Sequence, residues 1–133
     1  MWRSIAGHRM PIRFTTLSVD PDSGQTGGIL VAAHTLRDEG DLSHGEHVSL
    51  RMTLEWFNEH LSVPAALEDA EHRRAISWFK PAAREAIKRM WHLKGLLASH
   101  GIHVEVLRTA EPGTIVYEDE WQIVAKPRKG IRF

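Results

Sequence analysis

The stretch from Arg73 to Leu107 constrains the fold more than any other part of the chain. A short apolar run, RRAISWF, is followed by PAAREAIKRMWHLKGLLASHG and then by HVEVL. Pro81 suits the first turn of a helix, where its missing N–H costs nothing, and Gly101 stands where a helix takes a left-handed stop. Between them Ala83, Ala86, Ile87, Met90, Leu93 and Leu97 recur at helical spacing on one face, with Arg84, Lys88 and His92 opposite. Lys94 falls inside the apolar arc, where its methylenes can pack while the ammonium snorkels out. A helix over 81–100 between two strands predicts a right-handed βαβ crossover.

The rest of the chain fits around that unit. IRFTTLSV is rich in β-branched and aromatic residues and closes at Asp20-Pro21, as a strand does. ILVAAHTLRDEG is a nearly continuous apolar run with Gly40 as a helix stop. Ser43 followed by Glu46 has capping-box spacing and opens a helix to about Leu61, which Pro64 prevents from continuing. Residues 63–71 read as an irregular acidic connection. Glu111-Pro112-Gly113 then turns the chain into TIVY and WQIVA, a hairpin. The prediction is a single α+β domain over residues 1–133. It has a small mixed β-sheet with a βαβ crossover and a C-terminal hairpin, and about three helices packed on one face. Residues 1–11 read as an N-terminal extension ahead of the first strand.

Composition bounds the function. The chain has 42% hydrophobic and 26% charged residues, enough apolar material for a core. It has no cysteine, which excludes disulfides, thiol catalysis and cysteine-ligated zinc, and suits a reducing compartment. No apolar run reaches the ~18 residues of a membrane span and the start lacks a signal-peptide core, so a cytoplasmic, non-membrane protein is expected.

Net neutrality conceals segregation. Arg73 to Lys94 carries seven basic residues and one acid, and Lys126 to Phe133 four basic residues and none, a combined +10 that the remainder balances with −10. Arg84, Lys88, Arg89 and Trp91 on the helix, with Lys126, Arg128 and Lys129 near the C-terminus, are candidate phosphate contacts, and Trp91 or Trp78 could stack on bases.

The helix after Ser43 is apolar on two sides. Leu50, Leu54, Phe57 and Leu61 form a core stripe, while Val48, Met52 and Trp56 form a second line nearly opposite. That second line is either covered by neighbouring elements or is a face for self-association or a protein partner, with Trp56 as anchor.

Three adjacent acids, Glu118, Asp119 and Glu120, fall between the last two strand runs. A two-residue loop at 119–120 would set Glu118 opposite Trp121 and Val116 opposite Ile123; a four-residue turn also puts the acids at the tip. Alternation along a strand argues against their convergence on one metal. The pairs His44/His47 and His100/His103 lack a third ligand, so no metal or cofactor is expected. SGQTGG ahead of the first helix offers backbone N–H groups to an anion, with Thr26 as an N-cap, but carries no nucleotide motif.

The leading expectation is therefore a small interaction module without catalysis, self-associating or bound to a protein partner. A nucleic-acid-binding module using helix 81–100 and the basic C-terminal tail stands second. A metal-assisted or acid/base enzyme built from scattered His and Glu/Asp residues stands third.

Overall fold

The computed structural model describes residues 10–19, 24–61 and 70–133. Residues 1–9 of the expected N-terminal extension and most of the acidic connection lie outside them; Ala70–His72 forms a single 3-10 turn where the description resumes. The described residues form six strands and three α-helices in the order β1 (Ile12–Val19), β2 (Thr26–Gly28), α1 (Ile29–Glu39), α2 (His44–His60), β3 (Ile76–Phe79), α3 (Arg84–Ser99), β4 (Glu105–Arg108), β5 (Thr114–Glu118) and β6 (Gln122–Lys126).

β1 organises the sheet. β4 runs along one of its edges, from Ile12 opposite Arg108 to Thr15 opposite Glu105. The other edge is shared: β3 meets it at Ile12 opposite Phe79, and β2 at Thr15 opposite Gly28. β6 and then β5 continue beyond β3. Every pairing is antiparallel. The predicted α+β domain with a C-terminal hairpin is thus present, but the sheet is not mixed. β3 and β4, the strands flanking α3, are each antiparallel to β1 and hence parallel to one another; β1 lies between them, so no parallel ladder forms.

The helices cover one face. Ile12 and Phe14 pack with Ile29, Ala33 and Leu36 of α1, Leu50, Leu54 and Phe57 of α2, and Ala86, Met90, Leu93 and Leu97 of α3. The other face is covered by the C-terminal segment. Phe133 sits edge-on to Trp78 with ring centroids 4.9 Å apart. Gln25 Nε2 donates to the Ile131 carbonyl at 3.1 Å, and Arg132 Nε to the Gly24 carbonyl at 2.9 Å. Burial of the adjacent residues Val124 and Ala125 follows, since neighbours on a strand point to opposite faces.

Local chemistry sets the helix ends. The Ser43–Glu46 capping box is complete, with Glu46 N–H donating to Ser43 Oγ at 3.2 Å and Ser43 N–H to Glu46 Oε1 at 3.0 Å. α1 is capped by Gly28 rather than by Thr26, which is taken into β2. α3 starts at Arg84, later than Pro81 suggested, because Lys80 to Ala83 forms a turn closed by an Ala83 N–H bond to the Lys80 carbonyl at 2.9 Å. It ends as expected: Gly101 has φ +80°, and the Ile102 N–H returns to the Leu97 carbonyl at 2.9 Å. Gly113, at φ +115°, lies so close to β6 that a Cβ would stand 1.9 Å from the Lys126 carbonyl oxygen. Among the described residues no helix is long and apolar enough to cross a membrane.

Candidate functional site

β1 and β3 part after their single pair. Continuing the register by one residue sets Arg13 against Trp78, on the face opposite Ile12 and Phe79, but the strands separate there and β2 takes up the free edge of β1 at Thr15. The Arg13 guanidinium spans the split, donating to the Thr26 carbonyl at 2.5 Å and, at a weak 3.5 Å, to the Ser77 carbonyl. It is only 8% exposed. Burial without a compensating charge lowers its pKa to about 10. Its Nε and Nε1 of Trp78 are buried with no acceptor among the described residues.

These two residues line a cleft of about 910 Å³ between α1, α2 and the sheet. Its walls are Phe14, Ile29, Leu54, Phe57, Phe79 and Met90. Exposed Val31, His34, Arg51 and Asn58 form part of the mouth, between the two helices. A second cavity of about 580 Å³ lies toward β2, and Arg13, Gly28 and Val31 line both. The volume of the larger one is in the range of small-molecule sites, about 300 to 1,000 Å³.

No protein-family model matches the chain, and no curated protein or solved structure does either. The reading therefore rests on the cleft's own chemistry. A mostly apolar pocket of this size can hold a small apolar body.

The residues singled out in the sequence lie elsewhere. Trp56 is half-buried and held by its own chain: it stacks on His60 at 4.3 Å and on Trp121 at 6.0 Å, and the Arg89 guanidinium sits 4.5 Å over its ring. Val48 is also half-buried, whereas Met52 is 60% exposed. The two basic segments meet only at the start of the first, where Arg74 donates to the Arg128 carbonyl at 3.4 Å; its helical part is separate, since α3 belongs to the helix layer and the C-terminal segment to the other face of the sheet. Arg84, Lys88 and Trp91 are exposed on α3. Arg89 pairs with Glu85 at 3.1 Å and Arg128 with Glu111 at 2.8 Å; Lys126 is half-buried in β6, and Lys129 is exposed. Trp78, 1% exposed, has no face open for base stacking.

The three acids divide. The strands end with Glu118 opposite Ile123, so the turn takes the looser four-residue form, and a bulge between Ile115 and Tyr117 shifts the register by one residue farther along the hairpin. Asp119 turns inward and accepts from the backbone N–H groups of Trp121 and Gln122 at 2.9 and 2.8 Å, from the Tyr117 hydroxyl at 2.9 Å and from Gln122 Nε2 at 3.3 Å. Burial pushes its pKa up, but these donors outweigh it and the net shift is downward. Glu118 pairs with Lys80 at 2.5 Å, and Glu120 is exposed. The histidine pairs divide as well: His100 bonds Glu46 and His103 bonds Glu105, each at 2.9 Å. Among the described residues no three His, Asp or Glu side chains gather in a way that could hold a metal ion.

Sequence reasoning missed Arg13. The available signal was a lone arginine between Ile12 and Phe14 in a β run. On a half-solvated sheet that alternation is ordinary; it becomes anomalous only once the C-terminal segment covers the second face.

Proposed function

We propose that this protein is a non-catalytic binding module of the cytoplasm, whose cleft between α1, α2 and the sheet takes a small, largely apolar ligand. The observation that carries the reading is a cleft of about 910 Å³ walled by aromatic and aliphatic side chains. Absence of cysteine supports a reducing compartment. The protein-partner reading through Val48, Met52 and Trp56 loses ground, because Trp56 is already packed within the chain.

Nile red, an uncharged dye that brightens in apolar surroundings, tests the cleft directly. Saturable one-site binding is expected, weakened about tenfold or more by Asn58→Trp, which fills the mouth from an exposed position. Failure of the dye to bind saturably would overturn the reading.

A second reading keeps nucleic acid as partner. It is favoured by exposed Arg84, Lys88 and Trp91 on α3, with Trp91 45% exposed.

A further inference from the structure

Gly95 stands exposed within α3, where a glycine weakens a helix. Packing does not require it: its φ is not positive, and a Cβ there would meet no packed neighbour within 4 Å. Helical side chains lean toward the N-terminus, so a side chain at position 95 would lie over the turn that carries Trp91. The glycine leaves that indole uncovered. Resting on the nucleic-acid reading above, we infer that the outer face of α3 binds a single strand, with an unpaired base stacked on Trp91 in the space beside Gly95 and phosphates on Arg84 and Lys88.

The four residues form one surface. At 100° per residue, Arg84, Lys88, Trp91 and Gly95 fall within about 60° of one another, on the side of α3 turned away from the core, and all four are exposed. Phe14, 3% exposed, meets the Trp91 ring edge-on with centroids 5.3 Å apart, which fixes the indole against the core while the residue stays 45% exposed. Of the large apolar side chains left exposed among the described residues, it is the only aromatic one.

Charge agrees with the geometry. Glu85 is turned toward α2 and bonded to Arg89 at 3.1 Å, and the Arg89 guanidinium lies over Trp56. No ion pair among the described residues uses Arg84 or Lys88. Both are free to meet phosphates. A duplex presents base edges and phosphates but keeps its base faces stacked, so a ring open for stacking is answered by an unpaired base. An acidic peptide would meet the two cations and leave the ring without a partner. A plain solvated helix face accounts for Arg84 and Lys88, but neither for the exposed indole nor for the glycine that uncovers it.

Fluorescence anisotropy at low salt separates the outcomes, using an oligothymidylate, an abasic strand and a duplex of equal length. On the wild type the oligothymidylate is expected to bind about tenfold more tightly than the abasic strand, as one stacked base implies, and more tightly than the duplex. Gly95→Leu replaces a helix-weakening residue and so keeps the fold. It should weaken the oligothymidylate about tenfold by covering the indole, and leave the abasic strand within about twofold. Equal binding of the two strands, a duplex bound as tightly as the oligothymidylate, or no effect of Gly95→Leu would each overturn this inference and leave the nucleic-acid reading standing. Oligoglutamate bound as tightly as oligothymidylate would overturn both in favour of an acidic protein partner. If no nucleic-acid probe binds, both fall.

Discussion

Ile12 stands opposite Phe79 as the single register pair joining β1 to β3, and the next residue on each strand, Arg13 and Trp78, faces the split that opens there. A full ladder at this place would close the sheet. β2 instead occupies the rest of that edge of β1, and Arg13 bridges to it.

Replacing Arg13 is expected to change stability little. Its lowered pKa corresponds to a burial cost on the order of 3 kcal/mol, while the short bond to Thr26 returns about 1.5 to 3 kcal/mol. Arg13→Met should therefore fall within about 1 kcal/mol of the wild type in urea unfolding, against about 3 kcal/mol lost for Phe14→Ala. The sign with pH is defined: the folded pKa lies below the unfolded one, so the cost is complete below about pH 10 and is relieved as pH rises through and beyond it. A loss of 3 kcal/mol or more for Arg13→Met would make this residue a structural tie.

Asp119 is a structural carboxylate. Asp119→Ala should cost about 2 kcal/mol, and Asp119→Asn about half that, because an amide oxygen can still accept from Trp121 and Gln122 N–H while the contacts of Oδ2 are lost. With a folded pKa below the unfolded one, the contribution is complete above about pH 4 and disappears as pH falls through the lowered folded value. Acid unfolding of wild type and Asp119→Ala should converge there.

Trp56 belongs to the monomer's own packing. Trp56→Ala and Trp121→Ala should each destabilise by about 2 kcal/mol, with a coupling near 1 kcal/mol in a double-mutant cycle, and neither should alter the sedimentation coefficient of the folded protein. A wild-type dimer that Trp56→Glu converts to a folded monomer would restore the self-association reading.

If α3 binds nucleic acid, Arg84→Gln and Lys88→Gln should each lower the slope of log affinity against log salt by about 1. Lys129→Gln should leave that slope unchanged, since the C-terminal segment lies on the other face of the sheet. Equal effects from both segments would contradict the separation.

Much of the fold was legible because its signals are local. Ser43 with Glu46, and Gly101 with its left-handed backbone, announce helix ends through their own hydrogen bonds. The order of the strands was not, because nothing in Ile12 to Val19 states that this run slips between the strands flanking α3. The start of α3 was misread for a related reason: Pro81 is as well suited to the turn it occupies as to a first helical turn. The site was the least legible part. Arg13 and Trp78 are 65 positions apart in the sequence, and their missing acceptors depend on the split and on Phe133 folding back over Trp78.

The most direct test is a fluorescence titration of Nile red against the wild type and Asn58→Trp. The account predicts a saturable single site in the wild type, weakened about tenfold or more by the tryptophan at the mouth. Dye binding that does not saturate, or that the substitution leaves unchanged, would contradict it.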